Sequence, residues 1–287
     1  MHNELDLDNQ NKDVNHSQDN NSEVTVTEVL KIDGPEMQVK AEQVVVEAAL
    51  TVYLNNKEFV TLVCTPSQVE ELVVGFLCSE GIISHFDELK KVTVDSHLGL
   101  VWVETKKENT LSENLFLKRY ITSCCGKGRT SFYYANDARM TKKLDSRLQV
   151  TSSDISQYIN FLEEKSDLFH QTGGVHGGGI ISNGKLEIYA MDIGRHNVLD
   201  KLSGWALIEG IKLLEKVIVF SGRISSEILI KTGKMGCPIL IGVSAPTNLA
   251  LELAEELGIT VVGFARQNRM NIYTHPERVI ISERLSF

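Results

Sequence analysis

Two adjacent cysteines, Cys124 and Cys125, are the residues of this chain best suited to covalent chemistry. They lie in the segment Ser123–Arg129, which reads SCCGKGR. Its glycines permit backbone conformations that other residues avoid, so the segment is predicted to be a loop. Lys127 and Arg129 favour the thiolate, which is the nucleophilic form of cysteine, over the thiol. The alternative is that both cysteines are small buried hydrophobes, a role to which a loop of glycines and cations is poorly suited.

Zinc binding is another use for these cysteines, with His170, His176, Asp192 and His196 as further candidate ligands. The cysteines and histidines that bind zinc usually come in pairs separated by two to four residues, and adjacent cysteines rarely chelate one ion. A zinc deaminase would combine H-x-E with P-C-x-x-C, and no P-C-x-x-C occurs here. We therefore predict no metal site.

A second set of chemically capable residues follows four buried strands predicted in the second half of the chain. In open α/β sheets, ligands bind outside the carboxyl ends of the strands. Helix N-termini attract phosphates through free N–H groups and the helix dipole, and arginine matches phosphate oxygens. Four such turns in succession predict a phosphate-rich ligand. Their residues are Asp192, Arg195 and His196 after the first strand, Ser221 and Arg223 after the second, Ser244 after the third, and Phe264, Ala265, Arg266, Gln267, Asn268 and Arg269 after the fourth.

The glycine-rich segment Thr172–Gly179, which reads TGGVHGGG, precedes these strands. Clustered glycines permit the backbone to approach a ligand closely. The alternative is a flexible turn before a strand, with His176 solvated. The spacing matches neither the Rossmann nor the P-loop fingerprint, so no dinucleotide or ATPase motif is inferred.

The elements that must position these residues change character near the middle of the chain. In the second half, continuous apolar strands alternate with helices, which is typical of a largely parallel sheet covered on both faces. In the first half, alternating apolar residues predict hairpins, and one helix begins with the capping-box pair Ser67 and Glu70. The predicted strands are 24–27, 44–54, 59–64, 92–94, 100–103, 186–191, 217–220, 239–243 and 259–264, and the predicted helices are 67–81, 152–169, 194–208, 225–235 and 247–257.

These patterns predict an α/β protein in three parts. Residues 1–22 are rich in Asn, Asp and Gln and form a disordered tail. Residues 23–118 form a small α+β domain, and residues 119–287 form a larger α/β domain that carries the cysteine loop and the strand-end residues. The cysteine loop then lies at a domain junction, where clefts are common.

The bulk composition narrows the class of protein. The chain has 287 residues, of which 42% are hydrophobic and 23% charged, as in a soluble globular protein. A formal net charge of −9 argues against nucleic-acid binding by bulk electrostatics. Because no signal segment or membrane-spanning apolar run is found, we expect a cytoplasmic protein with no membrane partner and with reduced thiols. Of the five cysteines, Cys64, Cys78 and Cys237 are predicted to be core residues.

Taken together and in order, these segments resemble the FdhD family, the formate dehydrogenase accessory sulfurtransferases. The matching segments are SCCGKGR, TGGVHGGG, DIGRHN, SGRISSE, SAPT and FAR with a following arginine, and GFLCSEGII over residues 75–83 matches as well. The resemblance extends from about residue 30 to the C-terminus and leaves out the tail.

The resemblance implies a sulfurtransferase that serves formate dehydrogenase. Members receive sulfur from a cysteine desulfurase as a cysteine persulfide and pass it to the molybdenum cofactor, in which molybdenum is bound to two molybdopterin guanine dinucleotides. That cofactor is a bound substrate, and no permanent cofactor is implied. The larger domain is expected to be a three-layer α/β/α structure similar to the cytidine deaminase fold without its zinc. A homodimer is a possible assembly.

The resemblance also assigns residues. The family's cofactor segment corresponds to Phe264–Arg269, and its persulfide loop, C-x-x-C-G-K, corresponds to the cysteine segment. Because the cysteines are adjacent here, one alignment makes Cys124 the persulfide carrier and Cys125 the second cysteine, while another gives the role to Cys125. Asp192 either accepts the N–H groups of a guanine ring or caps its helix. The residues expected to line a single guanine nucleotide cleft are Asp192, His196, Arg223, Ser244, Arg266 and Arg269.

Two functions of other classes remain as alternatives. One is a non-catalytic carrier that only binds and delivers the cofactor, and such a carrier has no need of a thiol with a lowered pKa. The other is a metal-dependent nucleotide hydrolase, suggested by the deaminase-like order of elements.

Overall fold

The structure, a computed structural model, describes residues 22–107, 120–121 and 141–281. The cysteine segment Ser123–Arg129 and all but Ser22 of the predicted tail lie outside the described residues. Within them the chain forms six α-helices and four β-sheets, so the predicted α/β class is confirmed. The domain boundaries and the similarity to cytidine deaminase stay predictions.

The first element is a long two-stranded ribbon. Strands β1 (Val24–Asp33) and β2 (Glu36–Val45) pair in antiparallel register along their whole length. Alternation places the large apolar residues on one face, where Ile32 lies directly opposite Met37. These two side chains are 68% and 67% exposed, so the described residues leave this apolar face uncovered.

The N-terminal unit is a five-stranded sheet with one helix packed against it. The turn at Asn55 and Asn56 has positive φ at both residues, a backbone conformation that asparagine tolerates well. The predicted capping box is wrong, because Gln68 is the N-cap and Ser67 lies outside the helix. The sheet order is β5-β6-β3-β4-β7, and the elements are β3 (Ala48–Leu54), β4 (Lys57–Cys64), α1 (Val69–Ser79), β5 (Leu89–Asp95), β6 (Leu100–Thr105) and β7 (Tyr120–Ile121), with a short 3-10 helix at Phe86–Glu88.

The C-terminal unit is a six-stranded sheet covered on both faces. The predicted helix over 152–169 is divided into two helices. A short parallel pair of strands, β8 and β15, joins residues 150–151 to residues 279–280, near the two ends of this unit. The elements are β8 (Val150–Thr151), α2 (Ser152–Glu164), α3 (Asp167–Thr172), β9 (His176–Ser182), β10 (Lys185–Asp192), α4 (Arg195–Ile208), β11 (Val217–Phe220), α5 (Ser226–Met235), β12 (Ile239–Gly242), α6 (Asn248–Leu257), β13 (Thr260–Arg266), β14 (Arg269–Ile272), a 3-10 helix (Pro276–Arg278) and β15 (Val279–Ile280).

The order of the six strands is β10-β9-β11-β12-β13-β14. Strands β10, β11, β12 and β13 run in one direction. Strand β9, which lies between β10 and β11, is antiparallel to both, and β14 is antiparallel to β13. Helices α4, α5 and α6 pack on one face and α2 on the other. Because both faces are buried, the central strands are apolar throughout, which is why their positions could be read from the sequence.

Strand β9 occupies the second half of the glycine-rich segment 172–179, whose clustered glycines were interpreted as allowing close approach to a ligand or as a flexible turn before a strand. Its three consecutive glycines are buried where neighbouring side chains leave no room. A β-carbon on Gly177 would overlap the Tyr189 ring, and one on Gly178 would lie 2.8 Å from Val198 Cγ1. The glycines therefore serve packing between this strand, β10 and α4.

The two units meet where α1 crosses α4. A β-carbon on Gly75 would lie 2.6 Å from the carbonyl carbon of Asp200, and one on Gly204 would lie 2.6 Å from that of Glu71. Each glycine faces the backbone of the opposite helix, so the two helices approach more closely than side chains of ordinary size permit. This contact explains the glycine at the start of the GFLCSEGII segment.

Candidate functional site

The topology brings the four predicted strand-end turns to one edge of the six-stranded sheet, as the sequence predicts. Because β10, β11, β12 and β13 run in the same direction, their carboxyl ends lie together. His176 joins them from the antiparallel strand β9, whose first residue pairs with Asp192. We call this region the strand-end edge.

Two serines hold the turns of the strand-end edge in place. Ser221 Oγ accepts a hydrogen bond from the Gly177 amide at 2.9 Å, and the Ser221 amide donates to Gly177 O at 2.9 Å. Ser244 Oγ donates to Ser221 O at 3.0 Å. The beginning of β9 and the turns after β11 and β12 are therefore one connected framework, and both serines support it rather than standing free for a ligand.

Asp192 has a structural role at this edge. Its side chain is fully buried, and Oδ1 accepts from the Gly194 amide and from Asn197 Nδ2, each at 2.8 Å. Oδ2 accepts from the Thr65 amide and hydroxyl at 3.1 Å and lies 2.8 Å from Lys201 Nζ. With both oxygens occupied by donors of the protein itself, Asp192 is not the guanine acceptor that the sequence analysis considered.

Unlike Asp192, the arginines of the strand-end edge are not occupied by charged partners in the part of the chain that the structure describes. Within the described residues, none of Arg195, Arg223, Arg266 and Arg269 takes part in an ion pair. Arg195 Nε is buried and has no hydrogen-bond partner there. Within the residues that the structure describes, these four arginines at one sheet edge pair with no carboxylate, an arrangement that favours an anionic ligand although the chain has a net charge of −9.

His196, by contrast, is already engaged. It lies in the first turn of α4, and its Nε2 is 3.2 Å from Glu227 Oε2 in the first turn of α5. This contact ties the beginnings of two helices together. His196 is therefore better suited to positioning these helices than to binding a phosphate directly.

Three helices begin at this edge, because α4, α5 and α6 follow β10, β11 and β12. Their N-cap residues are Gly194, Ser225 and Thr247, and none of them makes a side-chain capping hydrogen bond. The first N–H groups of a helix have no partner within it, and the dipole makes that end positive. Three helix ends without side-chain caps beside unpaired arginines favour a ligand with several negative charges.

The end of β13 and the turn that joins it to β14 carry backbone strain. Phe264 and Gln267 both have positive φ, 50° and 47°, in a region that costs non-glycine residues about 1–3 kcal/mol each. The Phe264 side chain is 46% exposed, whereas Ala265 is buried in the core. Ser156 Oγ on α2 donates to Gln267 O and holds the turn. Such strain persists where the surroundings enforce it, which is common in ligand clamps, and it presents Phe264 to solvent.

His176 lies at the strand-end edge, whereas the sequence analysis considered it as a candidate metal ligand or a solvated side chain. It is half-buried, and burial, aided by the charges of Arg195 and Arg223, lowers its pKa, although Asp192 acts in the opposite direction. The lowered pKa favours the neutral imidazole, which can both donate and accept hydrogen bonds. The flanking glycines concealed the strand that places it at the edge.

The three described cysteines are not reactive thiolates. Burial chiefly raises the pKa of Cys64 and of Cys237 to about 12, and it raises the pKa of Cys78 as well. Cys64 and Cys237 are buried, as predicted, while Cys78 is half-buried against the same core as Cys64. Of the five cysteines, only Cys124 and Cys125 remain as candidates for a low-pKa thiol.

Two further properties concern the described residues alone. They contain no group of three or more His, Cys, Asp and Glu side chains arranged to hold a metal ion. No helix in residues 22–107 or 141–281 is both long enough and apolar enough to cross a membrane.

The fold and its edge define an α/β protein with a candidate site for a phosphate-bearing ligand. Residues 45–280 match the sequence model of the FdhD/NarQ family, and this protein belongs to that family. The family resemblance identified from the sequence is thereby confirmed.

The relatives support this assignment along nearly the whole chain. The sulfur carrier protein FdhD of Bacillus subtilis is 46% identical over 260 residues, covering 90% of this chain and 99% of the relative. That of Bacillus pumilus is 48% identical over 240 residues, covering 84% and 91%. A crystal structure from Desulfotalea psychrophila, described as that of a candidate formate dehydrogenase accessory protein, is 25% identical with a TM-score of 0.74, covering 90% of this chain and 100% of the other.

Proposed function

We propose that this protein is a sulfurtransferase that serves formate dehydrogenase. It takes sulfur from a cysteine desulfurase as a cysteine persulfide and passes it to the molybdenum cofactor, Mo-bis(molybdopterin guanine dinucleotide), which it binds as a substrate. Relatives named as sulfur carrier proteins, at 44–48% identity, are the observation that carries the proposal.

The first step follows from the chemistry of thiolates. The thiolate of Cys124 or Cys125 attacks the terminal sulfur of the desulfurase persulfide. The sulfur–sulfur bond of the desulfurase breaks, and its cysteine leaves as a thiolate, so no net oxidation or reduction occurs. The raised pKa values of the other three cysteines support this choice of nucleophile, because thiols that stay protonated at pH 7 react slowly.

The strand-end edge supports the second part of the proposal. A guanine dinucleotide carries two linked phosphates, and the edge offers unpaired arginines and three helix starts without side-chain caps. Phosphates held there leave the guanine ring near the strained turn, where the exposed ring of Phe264 offers a stacking surface. The carrier alternative, in which no persulfide forms, shares this edge and differs only in the cysteines.

Persulfide formation distinguishes these two functions. The protein is incubated with a cysteine desulfurase and cysteine, and the peptide that contains Cys124 and Cys125 is examined by mass spectrometry. We expect the mass of one added sulfur atom on this peptide, its loss in Cys124→Ala, and a smaller decrease in Cys125→Ala. Cys78→Ala is the matched control, since it removes a half-buried thiol of raised pKa and should leave the added sulfur unchanged. If both Cys124→Ala and Cys125→Ala transfer sulfur at the wild-type rate, the protein is not a persulfide carrier.

Nucleotide binding at the edge is a separate prediction. Removing one charge-assisted contact costs about 1.5–3 kcal/mol, so Arg266→Ala should weaken GDP binding by roughly tenfold to a hundredfold. Isothermal titration calorimetry measures the two affinities. Arg147→Ala is the control, because Arg147 is also exposed and adjoins Ser146, whose hydroxyl donates to Leu214 O near the opposite edge of the sheet. Equal affinities for wild type and Arg266→Ala would remove this turn from the nucleotide site.

A further inference from the structure

The ribbon formed by β1 and β2 carries its apolar and its charged side chains on opposite faces. In the register of the pair, Leu30 lies opposite Val39 and Ile32 lies opposite Met37. Of the six charged residues in the two strands, five lie on the other face, and Glu28 is the exception. We call the surface formed by Val26, Leu30, Ile32, Met37 and Val39 the ribbon face.

The ribbon face is exposed along its length. Its five side chains are 58–68% exposed. The ribbon is attached to the rest of the protein at its base, where the Val46 amide donates to Glu23 O at 2.8 Å and Val45 packs against Gly174. A two-stranded hairpin alone is marginally stable at best in water and needs a further strand or a packing partner. The ribbon therefore requires a cover, which the residues that the structure describes do not supply.

The N-terminal residues 1–21 are poorly suited to be that cover. They contain four apolar side chains, Met1, Leu5, Leu7 and Val14, against five acidic ones. A segment of this composition cannot bury enough apolar surface to order itself. The ribbon face, with five large apolar side chains, needs a partner that is itself apolar.

We propose that the ribbon face docks on the ribbon face of a second copy of this chain, in a twofold-symmetric dimer. Residues 24–45 contain no aromatic residue and no arginine, the types in which interfaces between different proteins are enriched. Interfaces between identical subunits are the more apolar class. Because the ribbon face holds a single charged residue, two chains of net charge −9 can approach each other there. The cysteine pair and the strand-end edge take no part in this contact.

The dimensions of the ribbon fit the centre of such an interface. Ten residues per strand make the ribbon roughly 33 Å long, and two strands with their side chains make it roughly 10 Å wide, which gives a face of roughly 330 Å². An exposed apolar patch of about 300–600 Å² commonly marks an interaction site. Stable interfaces bury about 800 Å² per partner, with an apolar centre and a polar rim. The outer backbone edges of β1 and β2, which pair with no other described strand, supply that rim.

Sedimentation equilibrium on the full-length protein tests the proposal. We expect wild type to be a dimer in the micromolar range. Leu30→Glu should raise the dissociation constant at least about thirtyfold, because the symmetric contact would bury two unpaired charges. Gln38→Glu is the matched control, because Gln38 is exposed on the other face, opposite Lys31, and its dissociation constant should stay within about threefold of wild type. A monomeric wild type, or a dimer that Leu30→Glu leaves intact, would overturn the inference.

Hydrogen exchange distinguishes a second copy from cover by the same chain. The amides of β1 and β2 should be protected in concentrated wild type and should exchange faster on dilution and in Leu30→Glu. Met37→Glu, on the neighbouring strand, should repeat the result, which separates loss of the dimer from a local effect on β1. If amide protection in the ribbon does not depend on protein concentration, the chain covers its own ribbon and the inference is wrong.

Discussion

Gly204→Ala is expected to destabilise the protein by about 3 kcal/mol or more, the upper end of what overpacking costs. The added β-carbon would overlap the carbonyl group of Glu71 on α1. Because that obstacle is backbone, the two helices must separate, and the cores on both sides of the crossing loosen with them. For a protein of this size the melting temperature should fall by about 6–12 °C, as measured by thermal denaturation followed by circular dichroism.

Gly233→Ala is the matched control for this experiment. Gly233 is also helical, in α5, but its added β-carbon would meet only the ends of side chains, at 2.9 Å from Thr141 Cγ2 and 3.2 Å from Leu257 Cδ1. Those ends can shift, and alanine gains about 1 kcal/mol of helix propensity over glycine. We therefore expect a change within about 1 kcal/mol. Equal melting temperatures for Gly204→Ala and wild type would show that the helices are not held at this distance.

Lys201→Met is the second substitution for which a large effect is expected. Lys201 is fully buried, and its Nζ donates to Thr65 Oγ1 at 2.9 Å and to Met191 O at 2.8 Å, besides its ion pair with Asp192. Removing one partner of a buried ion pair leaves a charge without compensation and typically costs about 3–5 kcal/mol. Chemical denaturation in urea should show this loss as a lower midpoint with an unchanged slope.

A double-mutant cycle separates the ion pair from the loss of side-chain packing. Asp192→Asn combined with Lys201→Met removes both charges, so the double variant should lose less stability than the two single variants added together. Lys212→Met is the control, because it removes the same charge at an exposed position. Its free energy of unfolding should stay within about 0.5 kcal/mol of the wild-type value. Strictly additive losses would contradict a direct interaction between Asp192 and Lys201.

The sequence predicted the parallel core of the fold because buried strands and amphipathic helices leave strong patterns. Strands β11, β12 and β13 are continuous apolar runs, and each is found where it was expected. Strand β9 escaped because its first half is glycine, which disfavours strands in general and is required here by close packing. Most of strand β2 was not predicted, because its residues are exposed and its apolar positions alternate with polar ones. The apolar pattern at its end continues into β3, so the two were predicted as one strand.

The candidate site was predictable to a similar depth. The parallel arrangement of the strands correctly predicted that the turns after β10, β11, β12 and β13 lie at one edge, where ligands of such sheets bind. The role of Asp192 was not predictable, since its partners Thr65 and Lys201 come from distant positions whose approach depends on the fold. For the same reason, nothing in the local sequence indicated that the hydroxyl of Ser225 would lack a capping bond.

The bond between Thr65 and Asp192 also has a consequence for synthesis on the ribosome. The two residues are 127 positions apart, so the hydrogen bond cannot form until the ribosome has made the intervening chain. At about 5–20 residues per second that interval is roughly 6–25 s. Throughout it, α1 lacks the helix that covers Gly75, because α4 is synthesised later still. The nascent N-terminal unit therefore exposes the face of α1 that α4 later covers, and chaperones that recognise apolar surface can bind it at this stage.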